Sequence, residues 1–222
     1  MLIRRQTIMY KLYWERLSGA IAPQVLLEEI DADYRKVHVN MAANEHREPA
    51  FRRVNPVMRV PALELPDGTV IGETSAITLV LGEQNPQTRL VPMPEEADRP
   101  AFLFWLAAMA ANGYPIFSRV WHPEQFTIDG VPSESVRLCA EQHLEEFFSV
   151  MEQSIAGAPF FLPRGFTALD IYLTMLTEWS ADRAALFKSN PRIEALCAAV
   201  MERPSYRTVI SEHMNGPLKA AD

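Results

Sequence analysis

The residues with the clearest chemical potential lie in the stretch NPVMRVPALELPDGTVIGETSAI, residues 55–77. Val60-Pro61 stands directly before an apolar run, a Pro-Asp-Gly turn follows, and Glu73-Thr74 then opens a helical pattern. A lone Val-Pro is most often a strand boundary, and an acid–hydroxyl pair at a helix start is most often a cap. The same helix start offers unpaired N–H groups and a partial positive charge, so the stretch could instead hold a small anionic ligand.

Other kinds of catalytic site find little support in the sequence. The five histidines show neither an H-x-x-x-H nor an H-E-x-x-H spacing, so we expect no metal. Cys139 and Cys197 fall in no C-x-x-C or zinc-ligand spacing, and we expect two reduced thiols packed in helices. The sequence contains no G-x-S-x-G, G-x-G-x-x-G or P-loop motif, so it gives no support for a hydrolase or a nucleotide-binding protein.

The composition is that of an ordinary globular protein with an acidic balance. The 222 residues are 48% hydrophobic and 22% charged, with a formal net charge of -7. This charge argues against nucleic acid or an anionic membrane as the main partner, but it leaves room for a local basic pocket. We expect no apolar run that reaches the ~20 residues of a membrane span. The start lacks the apolar stretch of a signal peptide, and we expect a cytoplasmic protein.

The first part of the chain alternates strand and helix patterns. Short apolar or alternating runs predict strands, and the periodic stretches between them predict helices. A Pro-Asp-Gly turn joins the third and fourth strands in a hairpin. Ser18 stands where the first helix should begin and is its predicted N-cap. The strands are predicted at 9–14, 34–40, 62–65 and 69–72, and the helices at 18–30, 43–54 and 73–84.

The second part of the chain shows only helical patterns. Residues 1–84 form the predicted α/β domain, in which residues 1–8 are expected to be an extension before the first strand. Four prolines in residues 85–100 make residues 85–97 a linker, because helices rarely continue through such a run. Residues 98–222 are predicted to be an all-helical bundle. Its apolar-periodic segments are 101–121, 133–156, 168–188 and 191–213.

Two motifs in the correct order resemble those of cytosolic glutathione transferases of the bacterial type. The first is the Val60-Pro61 dipeptide, its hairpin and the following ETSAI, which match the family's Val-Pro, hairpin and Glu-Ser pair before Ala and Ile. The second is FTALDIYL, where Thr167 and Asp170 match the family's buried capping box. The resemblance covers nearly the whole chain. It implies a thioredoxin-like N-terminal domain followed by a helical-bundle C-terminal domain.

The resemblance implies that glutathione binds as co-substrate, without a metal. In the family the bond before this proline is cis, which turns the N–H and C=O of Val60 toward the cysteinyl unit of glutathione. The γ-glutamyl carboxylate would accept hydrogen bonds from the Thr74 amide and hydroxyl. Glu73 would hold the helix start near the ligand's ammonium. Arg59 and Pro61 complete the predicted binding residues.

The family's reaction needs a donor that stabilises the glutathione thiolate, and the sequence leaves several candidates. Gly19 stands where the bacterial pattern has a cysteine, so mixed-disulfide chemistry on the protein loses support. Ser18 resembles the donor of serine-type members, although it could be only an N-cap. Tyr13 resembles the donor of tyrosine-type members. The Gly19 and Ala20 main-chain amides are a further alternative.

The resemblance also implies a hydrophobic electrophile pocket between the domains. Tyr114, beside the Gly113–Pro115 interruption, is the preferred residue and could donate to a leaving group, although such an aromatic stripe is usually core. Asp98, at the start of this helix, is expected to be a solvated cap. The residues predicted to line the pocket are Trp14, Leu17, Met109, Tyr114 and Phe117.

The resemblance therefore implies a glutathione transferase-like enzyme that conjugates the glutathione thiolate to a hydrophobic electrophile, with a detoxification role. The resemblance implies a homodimer in which the N-terminal half of one subunit faces the helical half of the other. Two alternatives stay open. One is a glutathione-dependent isomerase or reductase on the same scaffold, and the other is a non-catalytic binding protein that keeps the fold.

Overall fold

A computed structural model of the chain describes residues 9–215, so the predicted extension at residues 1–8 lies outside the described residues. The described chain divides into two compact units, one made of residues 9–91 together with 203–215 and the other of residues 92–202. The last helix therefore groups with the N-terminal part of the chain. The predicted domain boundaries at residues 84 and 98 stay predictions.

The described residues form four strands and ten α-helices. The strands are β1 (Tyr10–Trp14), β2 (Tyr34–His38), β3 (Ala62–Glu64) and β4 (Val70–Gly72). The helices are α1 (Ile21–Glu29), α2 (Pro49–Val54), α3 (Thr74–Gln84), α4 (Arg99–Ala108), α5 (Tyr114–Trp121), α6 (Glu134–Ser154), α7 (Ala168–Thr177), α8 (Arg183–Ser189), α9 (Pro191–Met201) and α10 (Pro204–Asn215).

The first unit is built on a mixed four-stranded sheet in the order β2-β1-β3-β4. β1 pairs in parallel with β2, and β3 pairs antiparallel with both β1 and β4. All four predicted strands are confirmed with slightly shorter ends, and the arrangement confirms the predicted thioredoxin-like domain. Successive residues of β1 point to opposite faces of the sheet, so Leu12 and Trp14 are buried together on one face.

α10 completes the first unit by packing against α1. The Arg203 guanidinium pairs with the Glu29 carboxylate, with Nη2 and Oε2 2.6 Å apart. The apolar-periodic segment 191–213 contains two helices, because α9 ends at Met201 and Pro204 starts α10.

The second unit consists of α4 to α9. A π-helical turn at Met109–Gly113 joins α4 to α5, so the predicted helix at 101–121 contains a local widening. A side chain at Gly113 would have its Cβ 2.4 Å from the Phe147 ring, so any larger residue here would force that ring to move. The predicted helix at 168–188 is likewise two helices, because Asp182 caps a new one through a 2.9 Å bond from the Ala185 N–H.

The helical segment Arg99–Trp121 is 23 residues long, and by length and composition alone it could cross a membrane. The expectation that no apolar run reaches such a length is therefore wrong. Core helices of soluble proteins meet the same criterion. Part of this segment is exposed in the described unit, since the Phe104 side chain keeps 62% of its surface accessible.

Candidate active site

The predicted glutathione-binding residues meet at one end of the sheet. Tyr13 on β1 lies opposite Ala62 on β3, and Ala62 lies opposite Gly72 on β4. Pro61 directly precedes Ala62, and Glu73 directly follows Gly72. The strand register therefore brings the start of α3, the Val-Pro bond and the loop after β1 to the same edge.

The Val60-Pro61 peptide bond is cis, as the resemblance predicted. The preceding turn is held by buried Asn55, whose Nδ2 donates to the Arg59 carbonyl at 2.8 Å. Across residues 9–215, the Val60 N–H and C=O take part in no hydrogen bond within the protein. These two main-chain groups are therefore available to a peptide ligand. The Arg59 side chain is exposed next to them.

Glu73 and Thr74 form a strained start to α3. Glu73 has φ 63 and ψ 117, a backbone conformation that residues other than glycine rarely adopt. Such strain persists where surrounding contacts enforce it, and it clusters at binding sites. The Glu73 side chain is exposed, whereas Thr74 is buried and its hydroxyl donates to the Gly19 carbonyl at 3.1 Å. This bond ties the start of α3 to the loop that follows β1.

Ser18 lies in that loop, but it is not the N-cap of α1. The helix begins at Ile21, and the capping position belongs to Ala20, so the predicted cap is corrected by two residues. The Ser18 hydroxyl accepts from the Ala20 N–H at 3.2 Å and donates to the Glu15 carbonyl at 2.7 Å. It stabilises a turn before the helix and would have to release the Glu15 carbonyl to donate to a thiolate.

Gly19 is the other predicted residue in the loop that meets Thr74. Its carbonyl accepts the Thr74 hydroxyl, while its N–H has no hydrogen-bond acceptor in the described part of the chain. The Ala20 N–H is already occupied by Ser18. Of the two amides considered, the Gly19 N–H is therefore the one free to face a ligand.

Glu15 anchors this loop and was not predicted from the sequence. Its carboxylate accepts hydrogen bonds from His38 Nε2 at 2.9 Å, from the Arg16 N–H at 2.7 Å and from the Met41 N–H at 3.0 Å. Burial alone would raise the pKa of Glu15, but these hydrogen bonds and the nearby His38 outweigh it and lower the pKa. The carboxylate stays charged near neutral pH and holds the loop against β2.

His213 on α10 is the second anchor that was not predicted. Its Nδ1 accepts the Leu17 N–H at 3.1 Å, and its Nε2 lies 3.1 Å from Gln24 Oε1. Leu17 itself has φ 46, so its main chain lies in the left-handed region. The two residues are separated by 196 positions in the sequence, which is why no local pattern signals the contact.

The structure does not bring the Tyr13 hydroxyl to this group. That hydroxyl donates to Glu64 Oε2 at 3.2 Å, and the ring packs edge-on against Phe51 with centroids 5.9 Å apart. Tyr13 lines a separate cavity of about 240 Å³ beside α2. Burial, reinforced by the Glu64 charge and hydrogen bond and opposed by Lys11, raises the pKa of Tyr13.

Two of the predicted electrophile-pocket residues lie in the first unit. Trp14 is 1% exposed and packs against the rings of His213 and His38, with centroids 4.9 and 5.9 Å away. It belongs to the core, which corrects its assignment to a pocket. Leu17 is exposed beside the loop.

The other three predicted pocket residues lie in the second unit. Met109 and Phe117 are 0% and 3% exposed, so both belong to its core rather than to an open pocket. Tyr114 is half-buried and packs edge-on against Trp179, with centroids 4.8 Å apart. Trp179 also contacts Phe117 and was not predicted, because it lies in the turn after α7.

Asp98 is not a solvated cap. Its Oδ1 accepts from Arg164 Nη1 at 2.9 Å, and Nη2 of the same guanidinium binds Glu96 at 2.9 Å. The Arg164 side chain is largely buried, so this pairing fixes the start of α4. Within residues 9–215, no cluster of three or more His, Cys, Asp or Glu side chains could hold a metal ion.

Comparison with known proteins agrees with this geometry. Residues 9–81 match the family model described as Glutathione S-transferase, N-terminal domain. The uncharacterized GST-like protein YncG of Escherichia coli K12 is 25% identical over 207 residues, which cover 92% of this chain and 98% of YncG.

Two solved structures extend the comparison. A glutathione transferase homologue from Sulfitobacter with bound glutathione has a TM-score of 0.85 at 22% identity, covering 93% of this chain and 99% of the other. A sphingomonad glutathione S-transferase complexed with glutathione has a TM-score of 0.80 at 26% identity, covering 92% and 99%. Residues 9–81 therefore match the N-terminal domain of glutathione S-transferases, and over about nine-tenths of its length the chain is similar to curated and solved members of that family.

Proposed function

We propose that this protein is a glutathione transferase that conjugates the glutathione thiolate to a hydrophobic electrophile. One observation carries the proposal. The unpaired main chain of Val60 at a cis proline lies at the same sheet edge as the strained Glu73-Thr74 helix start, and Thr74 bonds directly to Gly19. Peptide main-chain groups and a positively polarised helix start suit the cysteinyl and γ-glutamyl parts of glutathione.

In this proposal each binding residue has a separate role. Val60 pairs with the cysteinyl main chain, and the Thr74 N–H at the start of α3 donates to the γ-glutamyl carboxylate. The exposed Glu73 carboxylate attracts the ligand's ammonium, and Arg59 adds a cation beside Pro61. The positive φ of Glu73 sets the direction in which its side chain leaves the main chain at the start of α3.

The thiolate would be stabilised by the loop after β1 rather than by Tyr13. The Ser18 hydroxyl and the Gly19 N–H lie in the loop that contacts Thr74, whereas the Tyr13 hydroxyl bonds to Glu64. A donor aimed at the sulfur favours the charged thiolate and lowers its pKa. Tyr114, half-buried against Trp179, remains the proposed contact for the electrophile.

A second candidate is a glutathione-binding protein without turnover. The observation that favours it is the Ser18 hydroxyl, whose single proton already goes to the Glu15 carbonyl. If that bond persists with glutathione bound, Ser18 cannot donate to the thiolate.

Calorimetric titration with glutathione, followed by turnover of an activated aryl halide, tests the two candidates. Binding with turnover supports the transferase, and binding without turnover supports the non-catalytic protein. Absence of binding at millimolar glutathione would overturn both. A disulfide substrate screen separates the reductase alternative, which lacks a cysteine at position 19.

We further propose that the protein is a cytoplasmic homodimer with a detoxification role. Apolar side chains on α4 and α6 are exposed in the second unit, including Leu103, Phe104 and Val150. They lie beside a groove of about 350 Å³ that Phe104 and Val150 line. The proposed occupant is the N-terminal half of a second subunit, because contiguous exposed apolar surface of this kind favours burial against a partner.

A further inference from the structure

The last turn of α10 clamps the loop that carries the proposed thiolate donors. The Leu17 N–H donates to His213 Nδ1 at 3.1 Å, and the Arg16 guanidinium donates to the Met214 carbonyl at 3.3 Å. Two consecutive loop residues are therefore fixed by two consecutive residues of one helix. Ser18 and Gly19 follow directly in the chain.

The tautomer of His213 is set by its partners. A main-chain N–H can only donate, so Nδ1 must be the unprotonated nitrogen that accepts it. The ring proton then lies on Nε2 and is donated to Gln24 Oε1. This leaves the Gln24 amide nitrogen to donate to Tyr34 and Glu212, at 3.1 and 2.6 Å. Every polar atom of the buried ring is satisfied only in the neutral form.

Charged side chains from three neighbouring segments surround His213. Lys36 on β2, Arg16 and Glu15 in the loop, and Glu212 on α10 all act on it, and Lys36 is itself paired with Glu212. Burial, helped by Lys36 and Arg16 and opposed by the two glutamates, lowers the pKa of His213 to about 4. The imidazole therefore remains a neutral acceptor throughout the neutral pH range.

Leu17 needs such an anchor because of its backbone. It is a non-glycine residue at φ 46, and its side chain is exposed, so side-chain packing does not hold this conformation. A left-handed residue of this type persists only where other contacts determine it. The acceptor at His213 is the contact that its own N–H makes.

We propose that His213 is a positioning residue for the thiol site, whose unprotonated Nδ1 holds Leu17 and thereby places Ser18 and the Gly19 N–H beside Thr74. This inference rests on the proposed function for its catalytic consequence. The positioning itself is a property of the free protein.

Two substitutions distinguish the roles of the two ring nitrogens of His213. His213→Asn keeps an acceptor on Cγ, where Nδ1 was, and loses the group that reaches Gln24. His213→Gln places its amide one bond further out and keeps the contact to Gln24, but it leaves the Leu17 N–H without its acceptor. Each variant loses one buried hydrogen bond, so global stability should fall similarly in both. Met214→Ala, which removes an exposed side chain but not its carbonyl, is the control.

The expected result is a split between these variants. His213→Gln should lower kcat/KM for an activated aryl halide about tenfold and raise the pKa of the bound thiol, as read from thiolate absorbance. His213→Asn and Met214→Ala should stay within about threefold of the unmodified protein. Equal losses in the Asn and Gln variants, or no loss in the Gln variant, would overturn the inference.

Amide hydrogen exchange at Leu17 tests the same inference without glutathione. Exchange should accelerate about tenfold in His213→Gln and remain slow in His213→Asn. Unchanged exchange in the Gln variant would contradict the positioning role even if the enzyme is active. Failure of the unmodified protein to bind glutathione would instead contradict the proposed function and leave the exchange result to decide on His213.

Discussion

Among single residues, the two candidate hydroxyl donors differ in the acceptor to which each already donates its proton. Ser18 donates to a main-chain carbonyl within its own turn, an interaction that a bound thiolate could replace. Tyr13 donates to the Glu64 carboxylate on the neighbouring strand, which also pairs with Lys11 at 2.5 Å. A charged acceptor forms the stronger bond, so Tyr13 is the harder residue to redirect.

Substituting these two hydroxyls should therefore have unequal effects. Ser18→Ala is expected to lower kcat/KM about tenfold, because one donor to the thiolate is worth roughly one unit of thiol pKa. Tyr13→Phe should leave kcat/KM within about twofold. Steady-state kinetics with an activated aryl halide provide the measurement. The reverse order would assign the role to Tyr13, and two unaffected variants would point to the Gly19 N–H.

Two substitutions of Thr74, to Val and to Ser, test the hydrogen bond from its hydroxyl to the Gly19 carbonyl. Thr74→Val keeps the shape of the side chain but removes the hydroxyl that donates to the Gly19 carbonyl. Leaving that carbonyl unpaired is expected to cost about 1 kcal/mol of stability and to weaken glutathione binding about tenfold. Thr74→Ser retains the hydroxyl and should bind nearly as the unmodified protein does. Calorimetry that finds equal affinity for all three proteins would refute the role of this bond.

At the scale of elements, the sequence predicts local patterns well and interruptions poorly. The strand over 62–65, the hairpin and the capping box at Thr167 and Asp170 depend on residues within a few positions, and the structure contains all of them. The break after Thr177 and the break before Pro204 were missed, because apolar periodicity continues across both. Ser18 resembles an N-cap in the sequence, because a serine that closes a turn and a serine that caps a helix use the same hydroxyl.

Asp170 gives the capping box of α7 an unusual pH dependence. Its carboxylate accepts the N–H groups of Phe161 and Thr167, both at 2.7 Å, and it is fully buried. Burial raises the pKa of Asp170 to about 6, although these hydrogen bonds oppose the change. The folded state therefore holds this proton more tightly than the unfolded chain, where the pKa is about 3.9.

Because the folded pKa is raised, this group's contribution to stability is present at low pH and is lost as pH rises from about 4 through about 6. The loss should be on the order of 3 kcal/mol. Asp170→Asn cannot lose a proton, so the difference in unfolding free energy between the unmodified protein and this variant should shrink across that range. Urea unfolding at several pH values measures it, with Asp182→Asn at the exposed start of α8 as control. A difference that stays constant or grows would contradict the assignment.

In the whole molecule, the last described helix groups with the N-terminal part of the chain. α10 joins the unit that contains the site, and His213 reaches Leu17 across 196 positions. The proposed binding residues Val60 and Thr74 can be recognised in the sequence because they lie in one continuous motif. The anchors Glu15 and His213 could not, because their roles arise from long-range packing and leave no local pattern.

Self-association belongs to this scale. Phe104 is 62% exposed beside the apolar groove of the second unit, and Phe104→Glu should shift the protein from dimer to monomer by introducing a charge into the proposed interface. Phe126→Glu changes an equally apolar, exposed residue outside the groove and serves as control. Light scattering after size-exclusion chromatography measures both. A monomeric unmodified protein, or a dimer that survives Phe104→Glu, would contradict the proposal.

A crystal structure of the protein with glutathione bound would show directly whether Val60 and Thr74 hold the ligand. If glutathione binds as proposed, its cysteinyl main chain will pair with the N–H and C=O of Val60. The γ-glutamyl carboxylate should lie at the Thr74 N–H, and the sulfur should face Ser18 or the Gly19 N–H. Glutathione bound elsewhere, or with its carboxylate away from the start of α3, would contradict the proposed glutathione site.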